Sequence, residues 1–142
     1  MEVINQIYPS DPEQIEQMMM PGPEGPIVMV NLLKFRSQAV YPDGRATGLT
    51  GQEAYRIYAE AVSELLGQFG GKITFSGNIT HLTLGKVDDL WDQVALVEYP
   101  NRAALVAMST SEAYATIGIH REAGLEGQLN IETTYTGLPG ES

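Results

Sequence analysis

Asn31 sits in the middle of "PIVMVNLLKF", residues 26 to 35, where Val, Ile, Leu and Phe otherwise call for a buried β-strand. A mid-strand amide without partners costs about 1–3 kcal/mol, so this one is either bonded to neighbouring backbone or aimed into a cavity. Side chains alternate along a strand, which puts Asn31 on one face with Met29, Leu33 and Phe35 and Lys34 on the other with Val28, Val30 and Leu32. Lys34 reads as a strand-end lysine with its stem on apolar surface and its amine in water. His81 is the general acid/base candidate, because histidine suits proton transfer near neutrality; its alternative is a structural strand histidine, since nothing beside it marks a catalytic partner. His120 and Arg121 in "GIHREAGLE" are either a cationic cluster at the carbonyl end of a helix or an anion clamp, the planar guanidinium of Arg121 fitting a carboxylate. Tyr55 and Tyr58 share a helix face, as core residues with one partner per hydroxyl or as two hydroxyls lining a pocket. Trp91 is either a seal at the sheet end or a pocket wall, and Glu98 either a base or half of a strand-end salt bridge.

The constellations of better-defined chemistries are missing. Two histidines without metal-site spacing and no cysteine argue against zinc or non-haem iron. There is no G-x-S-x-G elbow, P-loop or strand-linked G-x-G-x-x-G, which removes the anchors of hydrolase and nucleotide readings. No cofactor is expected. The chain carries 18 acidic against 8 basic side chains, a formal charge of -10, so neither nucleic acid nor an anionic membrane surface is an expected partner. No run approaches the roughly 18 apolar residues of a spanning helix, and the N-terminus lacks a leader pattern. The expectation is a soluble, unprocessed protein of a reducing cytoplasm.

With 142 residues, 43% of them hydrophobic, the chain suits a single domain, 1–142. "SDPEQIEQMM", residues 10 to 19, places Ser10 and Asp11 before Pro12 and Glu13, the pattern of a helix start. "PGPEGP" ends that helix, so residues 1–25 form a helical extension before a core spanning 26–136. Residues 36 to 51 have no period and a Pro-Asp-Gly turn at 42 to 44, predicting a mobile flap. Thr50 and Glu53 make a capping box for a helix whose apolar positions run to Phe69. A long, bent strand is expected over 72 to 85 with Gly77 as the bulge or bend, and a third over 92 to 99. Pro100-Asn101 opens a short helix, and Ser109 and Glu112 repeat the capping-box spacing. "GQLNIETTY", 127 to 135, reads as a half-exposed fourth strand. The sum is α+β: a βαββαβ, ferredoxin-like order with an antiparallel sheet and helices on one face. The other face needs a cover that this chain cannot supply, which predicts a homodimer.

"VMVNLLKF", "AYRIYAEAV", "WDQVALVEYPNRAALVAM" and "HREAGLEGQ" together resemble the family described as domain of unknown function 1330, within the dimeric α/β-barrel superfamily. The likeness runs from about residue 26 to 134. It implies two ferredoxin-like protomers whose sheets pack face to face into a dimeric α/β barrel, and no particular reaction. Relatives across the superfamily range from cofactor-independent monooxygenases and cyclases to ligand-binding regulators, so the resemblance implies a pocket more than a chemistry. The expected ligand is a small organic carbonyl or carboxylate compound held between sheet and helices. For an enzyme, His81 would move the proton, Asn31 and Tyr58 would hold an enolate oxygen and Arg121 the anionic end, with Tyr55 and Trp91 lining the site. The competing readings are a binding protein without turnover and an accessory domain whose dimer surface is its function.

Overall fold

The structure, a computed structural model, describes residues 11–137; Ser10 and the rest of the first ten positions of the helical extension lie outside them. Helix α1 (Pro12–Met18) is started by Asp11, whose carboxylate accepts from the Glu13 N–H at 2.9 Å. Strand β1 (Ile27–Phe35) follows the proline-glycine break. Helix α2 (Gly51–Gln68) has both halves of the capping box, Thr50 accepting from the Glu53 N–H and Glu53 from the Thr50 N–H. It buries Ala54, Tyr58, Val62, Leu65 and Leu66 at helical spacing. Then come β2 (Lys72–Asn78), β3 (Gln93–Tyr99), α3 (Arg102–Ser109), α4 (Glu112–Gly124) and β4 (Leu125–Thr133).

The four strands form one antiparallel sheet in the order β2-β3-β1-β4, the ferredoxin-like arrangement. Ile27 and Met29 of β1 meet Tyr58, Val62, Leu65 and Leu66 of α2, with Tyr99 and Met108, in the main core. Cross-strand register then fixes the faces. Val30, Leu96, Ile131 and Phe75 stand on the side away from the helices, as do Leu32, Val94 and Leu129. Phe75 is 53% and Ile131 47% exposed. The polar residues of β4, Gln128 and Glu132, turn toward the helices instead. Along β4 that distribution reverses the usual apolar-inward pattern, and it leaves a second apolar sheet face open.

Several boundaries differ from those the sequence predicts. Strand β2 ends at Asn78, because its partner β3 begins at Gln93 directly opposite. The Ile79 N–H to Asp92 carbonyl bond, 2.9 Å, closes the pair, and His81 therefore lies in the irregular connection that follows rather than in a strand. The irregularity in β2 falls between Ile73 and Phe75, not at Gly77. Helix α4 is capped by Ser111, whose hydroxyl accepts from the Tyr114 N–H, and not by Ser109, which ends α3.

The long connection after β1 is docked at its start. Ala39 and Tyr41 are buried against Ala54 and Ala123. Two backbone bonds, Ala39 N–H to Leu49 and Val40 N–H to Ala123, both 3.0 Å, tie it down. The connection stays largely exposed between these anchors, at Ser37, Gln38, Val40 and through the turn around Gly44 (φ +80). Below it, β1, α2 and α4 meet by backbone contact. A Cβ on Gly51 would collide with the Arg36 carbonyl oxygen and lie 2.7 Å from the Arg36 nitrogen. One on Gly124 would strike the Gly51 carbonyl oxygen. The three elements approach this closely because both positions are glycine.

Candidate functional site

Asn31 lies on the helix-facing side of the sheet and is 9% exposed. Its carbonyl oxygen accepts from Gln128 Nε2 at 2.8 Å. Its nitrogen donates to the Ala95 and Met29 carbonyl oxygens at 3.3 and 3.4 Å, longer than the usual N–H···O distance of about 2.9–3.0 Å. Gln128 in turn accepts at Oε1 from Arg121 Nη1, 2.8 Å away. A polar line thus runs from β3 through β1 and β4 to α4, across a layer that is otherwise apolar. Arg121 reaches it because α4 continues to Gly124 and turns this side chain toward the sheet.

Tyr55 and Tyr58 stand one turn apart on α2 with rings 5.3 Å apart, and Tyr55 also meets the Phe35 ring at 5.4 Å. The Tyr58 hydroxyl pairs with that of Tyr114 at 3.1 Å. Burial pushes the phenol pKa values of Tyr55 and Tyr58 well up, and Arg121 opposes this only in part. Both stay protonated, as hydrogen-bond donors and not bases.

Beside this layer a cleft of about 450 Å³ opens at the end of β1, lined by Phe35, Arg36, Thr50, Gln52, Asn78 and Asp92 among others. The register places it relative to Asn31. Asn78 belongs to the cross-strand row Leu33–Gln93–Asn78, and Asn31–Ala95–Ser76 is the next row on the same face. Two residues of strand separate the rows by about 7 Å. On β1 the cleft is walled by Phe35, and the fully buried Leu33 stands between it and Asn31.

The remaining predicted residues lie elsewhere. His81 is exposed in the connection between β2 and β3, and Trp91 is half-buried just before β3, beside Asp92. Lys34 donates to the Leu90 carbonyl at 3.1 Å and pairs with Asp89 at 3.3 Å and Asp92 at 3.6 Å. Glu98 pairs with Lys72 at 3.7 Å and accepts from the Tyr135 hydroxyl. His120 belongs to a separate cluster, its Nδ1 2.7 Å from the Tyr41 hydroxyl. Arg45 lies 4.7 Å above the Tyr41 ring and is held by Asp43. Burial, then the charge of Arg45, lowers the His120 pKa, with Asp43 opposing. Sequence reasoning did not single out Gln128, Tyr114 or Arg36. Gln128 sits diagonally across from Asn31, a relation only the register reveals. Among the described residues, no group of three or more His, Cys, Asp or Glu side chains could hold a metal ion, and no helix is long and apolar enough to cross a membrane.

The model of a family described as domain of unknown function 1330 matches residues 46–134, beginning after the β1 motif that carries Asn31. A crystal structure of a protein of unknown function from Rhodopseudomonas palustris is 32% identical to this chain, covers 95% of it and 100% of its own length, and superposes with a TM-score of 0.83. The methylated form of that protein is 36% identical over 96% of this chain and 98% of its own, with a TM-score of 0.84. A protein from Arabidopsis thaliana, 11% identical over 79% of this chain and 97% of its own, shares the fold alone, with a TM-score of 0.52. No curated protein matches this chain.

Proposed function

We propose that this chain, which belongs to the family described as domain of unknown function 1330, is a homodimeric protein that binds a small organic carbonyl or carboxylate compound between its sheet and helices. One observation carries the reading: the Asn31 amide nitrogen is buried yet held only by long bonds, on the sheet face that ends at the cleft beyond Leu33. A donor held that loosely can be transferred to a ligand oxygen at little cost. Gln128 and Arg121 fix the amide's orientation from behind, so its donor side is set before the ligand arrives. What supports the dimer is the apolar face of Val30, Leu96, Ile131 and Phe75, which a second sheet would bury.

A second reading is a cofactor-independent enzyme for proton transfer, isomerisation, cyclisation or oxygenation. It is favoured by the hydroxyls of Tyr58 and Tyr114 and the guanidinium of Arg121, all donors suited to an enolate oxygen. It would require His81 to act from the connection between β2 and β3. The protonated phenols do not supply a base, so binding stands as the first reading and turnover as the second. A thermal-shift panel of small carbonyl and carboxylate compounds on the wild type and Gln128→Leu tests both. A ligand at about 100 times its dissociation constant adds about 2.7 kcal/mol of stability. The expected result is at least one such compound, with a weaker shift in the variant. A panel without any shift, or equal shifts in both proteins, counts against the reading.

A further inference from the structure

Arg36 follows β1 directly at the rim of the cleft, and its backbone is locked there by its N–H bond to the Gly124 carbonyl, 2.8 Å, and by the close approach of Gly51. Its side chain lines the cleft. The Nε atom is buried and has no hydrogen-bond partner among the described residues. A guanidinium cannot shed its proton to escape this cost, and a buried donor left open on a charged group is expensive. An anion entering the cleft beside Arg36 would supply this donor with a partner. The cleft holds a carboxylate of its own in Asp92, but that group is already engaged: it accepts from the Phe35 N–H at 2.8 Å and pairs with Lys34 at 3.6 Å. Thr50 is likewise committed, accepting from the Glu53 N–H. That leaves Arg36 as the cation facing the space, with the Phe35 ring as an apolar wall and the Gln52 and Asn78 amides on the rim.

We infer that Arg36 is the anchor for the carboxylate of a small organic acid whose flat apolar body lies against Phe35. This rests on the binding reading above and refines it: the anionic end of the ligand is assigned to Arg36 in the cleft, while Arg121 serves as support for Gln128 and Asn31. The planar fork of arginine suits a carboxylate bidentately, and the Gln52 and Asn78 amides on the rim suit an oxygen at the ligand's other end. A neutral amide of the same shape would keep the wall contact and lose the charge-assisted pair.

The test is calorimetric titration with benzoate and with benzamide as its neutral counterpart, on the wild type, Arg36→Gln, Arg36→Lys and Arg121→Gln. Both Arg36 variants lack the Nε–H, so benzoate is expected to bind each at least about tenfold more weakly, about 1.4 kcal/mol, with benzamide affinity unchanged. Arg36→Lys keeps the charge and decides the matter where Arg36→Gln does not fold. Unchanged benzoate affinity in the Arg36 variants, with a loss in Arg121→Gln, overturns the assignment while leaving the binding function in place. A wild type that binds neither probe at millimolar concentration overturns the assignment as well. The binding function itself falls only if the wider panel of compounds is also without effect.

Discussion

Replacing Asn31 by leucine separates a ligand-binding role from a purely architectural one, and the structure fixes the expected size of each effect. The substitution removes one good bond, to Gln128 Nε2 at 2.8 Å, and two long ones at 3.3 and 3.4 Å. The stranded Gln128 amide would cost about 1–3 kcal/mol if fully buried, but Gln128 is half-exposed and keeps its bond to Arg121. Against that loss, leucine places an apolar side chain beside Met29 and Leu33, and burying one is worth about 1.5–3 kcal/mol. The two terms nearly cancel. Urea unfolding of Asn31→Leu is therefore expected to show a change below about 1 kcal/mol at constant slope, while affinity for a compound found in the thermal-shift panel falls at least about tenfold. Asn31→Asp, which keeps the shape and adds a charge, controls for electrostatics. A loss of stability above about 2 kcal/mol with ligand affinity untouched would show that the line from Asn31 to Arg121 is architecture.

Three further outcomes follow from other parts of the fold. Sedimentation at low micromolar concentration is expected to give twice the chain mass, and Phe75→Asp with Ile131→Lys, placed on the open sheet face, to give the single mass; a monomeric wild type would refute the dimer. Because burial and Arg45 hold the folded pKa of His120 below its ordinary 6.5, its contribution to stability is full above about pH 6.5 and is lost as pH falls through the folded value. His120→Gln should flatten that part of the stability–pH curve, and an unchanged slope would show that the cluster with Tyr41 does not titrate. Gly51→Ala drives a methyl into the Arg36 backbone and is expected to cost about 3 kcal/mol, read as a lowered urea midpoint; a neutral result would mean that α2 can slide away from β1.

Elements with their own local signal were legible in the sequence. The alternation that sets Asn31 with Met29 and Leu33, the Thr50–Glu53 box and the buried stripe of α2 all depend on residues close in the chain. What escaped depends on long-range pairing. The end of β2 is decided by where β3 begins, so no property of residues 79 to 85 themselves could locate His81 outside the strand. The docking of Ala39 and Tyr41 relies on Ala54 and Ala123, which belong to other elements. The His-Arg-Glu run left Arg121 open between a helix-end surface cluster and an anion clamp, and its actual partner, Gln128, lies on β4. The Gln128 partner and the orphan donor of Arg36 carry no sequence motif at all.

Native mass spectrometry of the freshly purified protein tests ligand binding by a homodimer most directly, because it reads assembly and occupancy in one spectrum. The predicted spectrum is a dimer carrying a small-molecule increment that collisional heating removes, or a bare dimer that acquires one on addition of an active compound from the panel. A spectrum of bare monomer that takes up none of those compounds would contradict it.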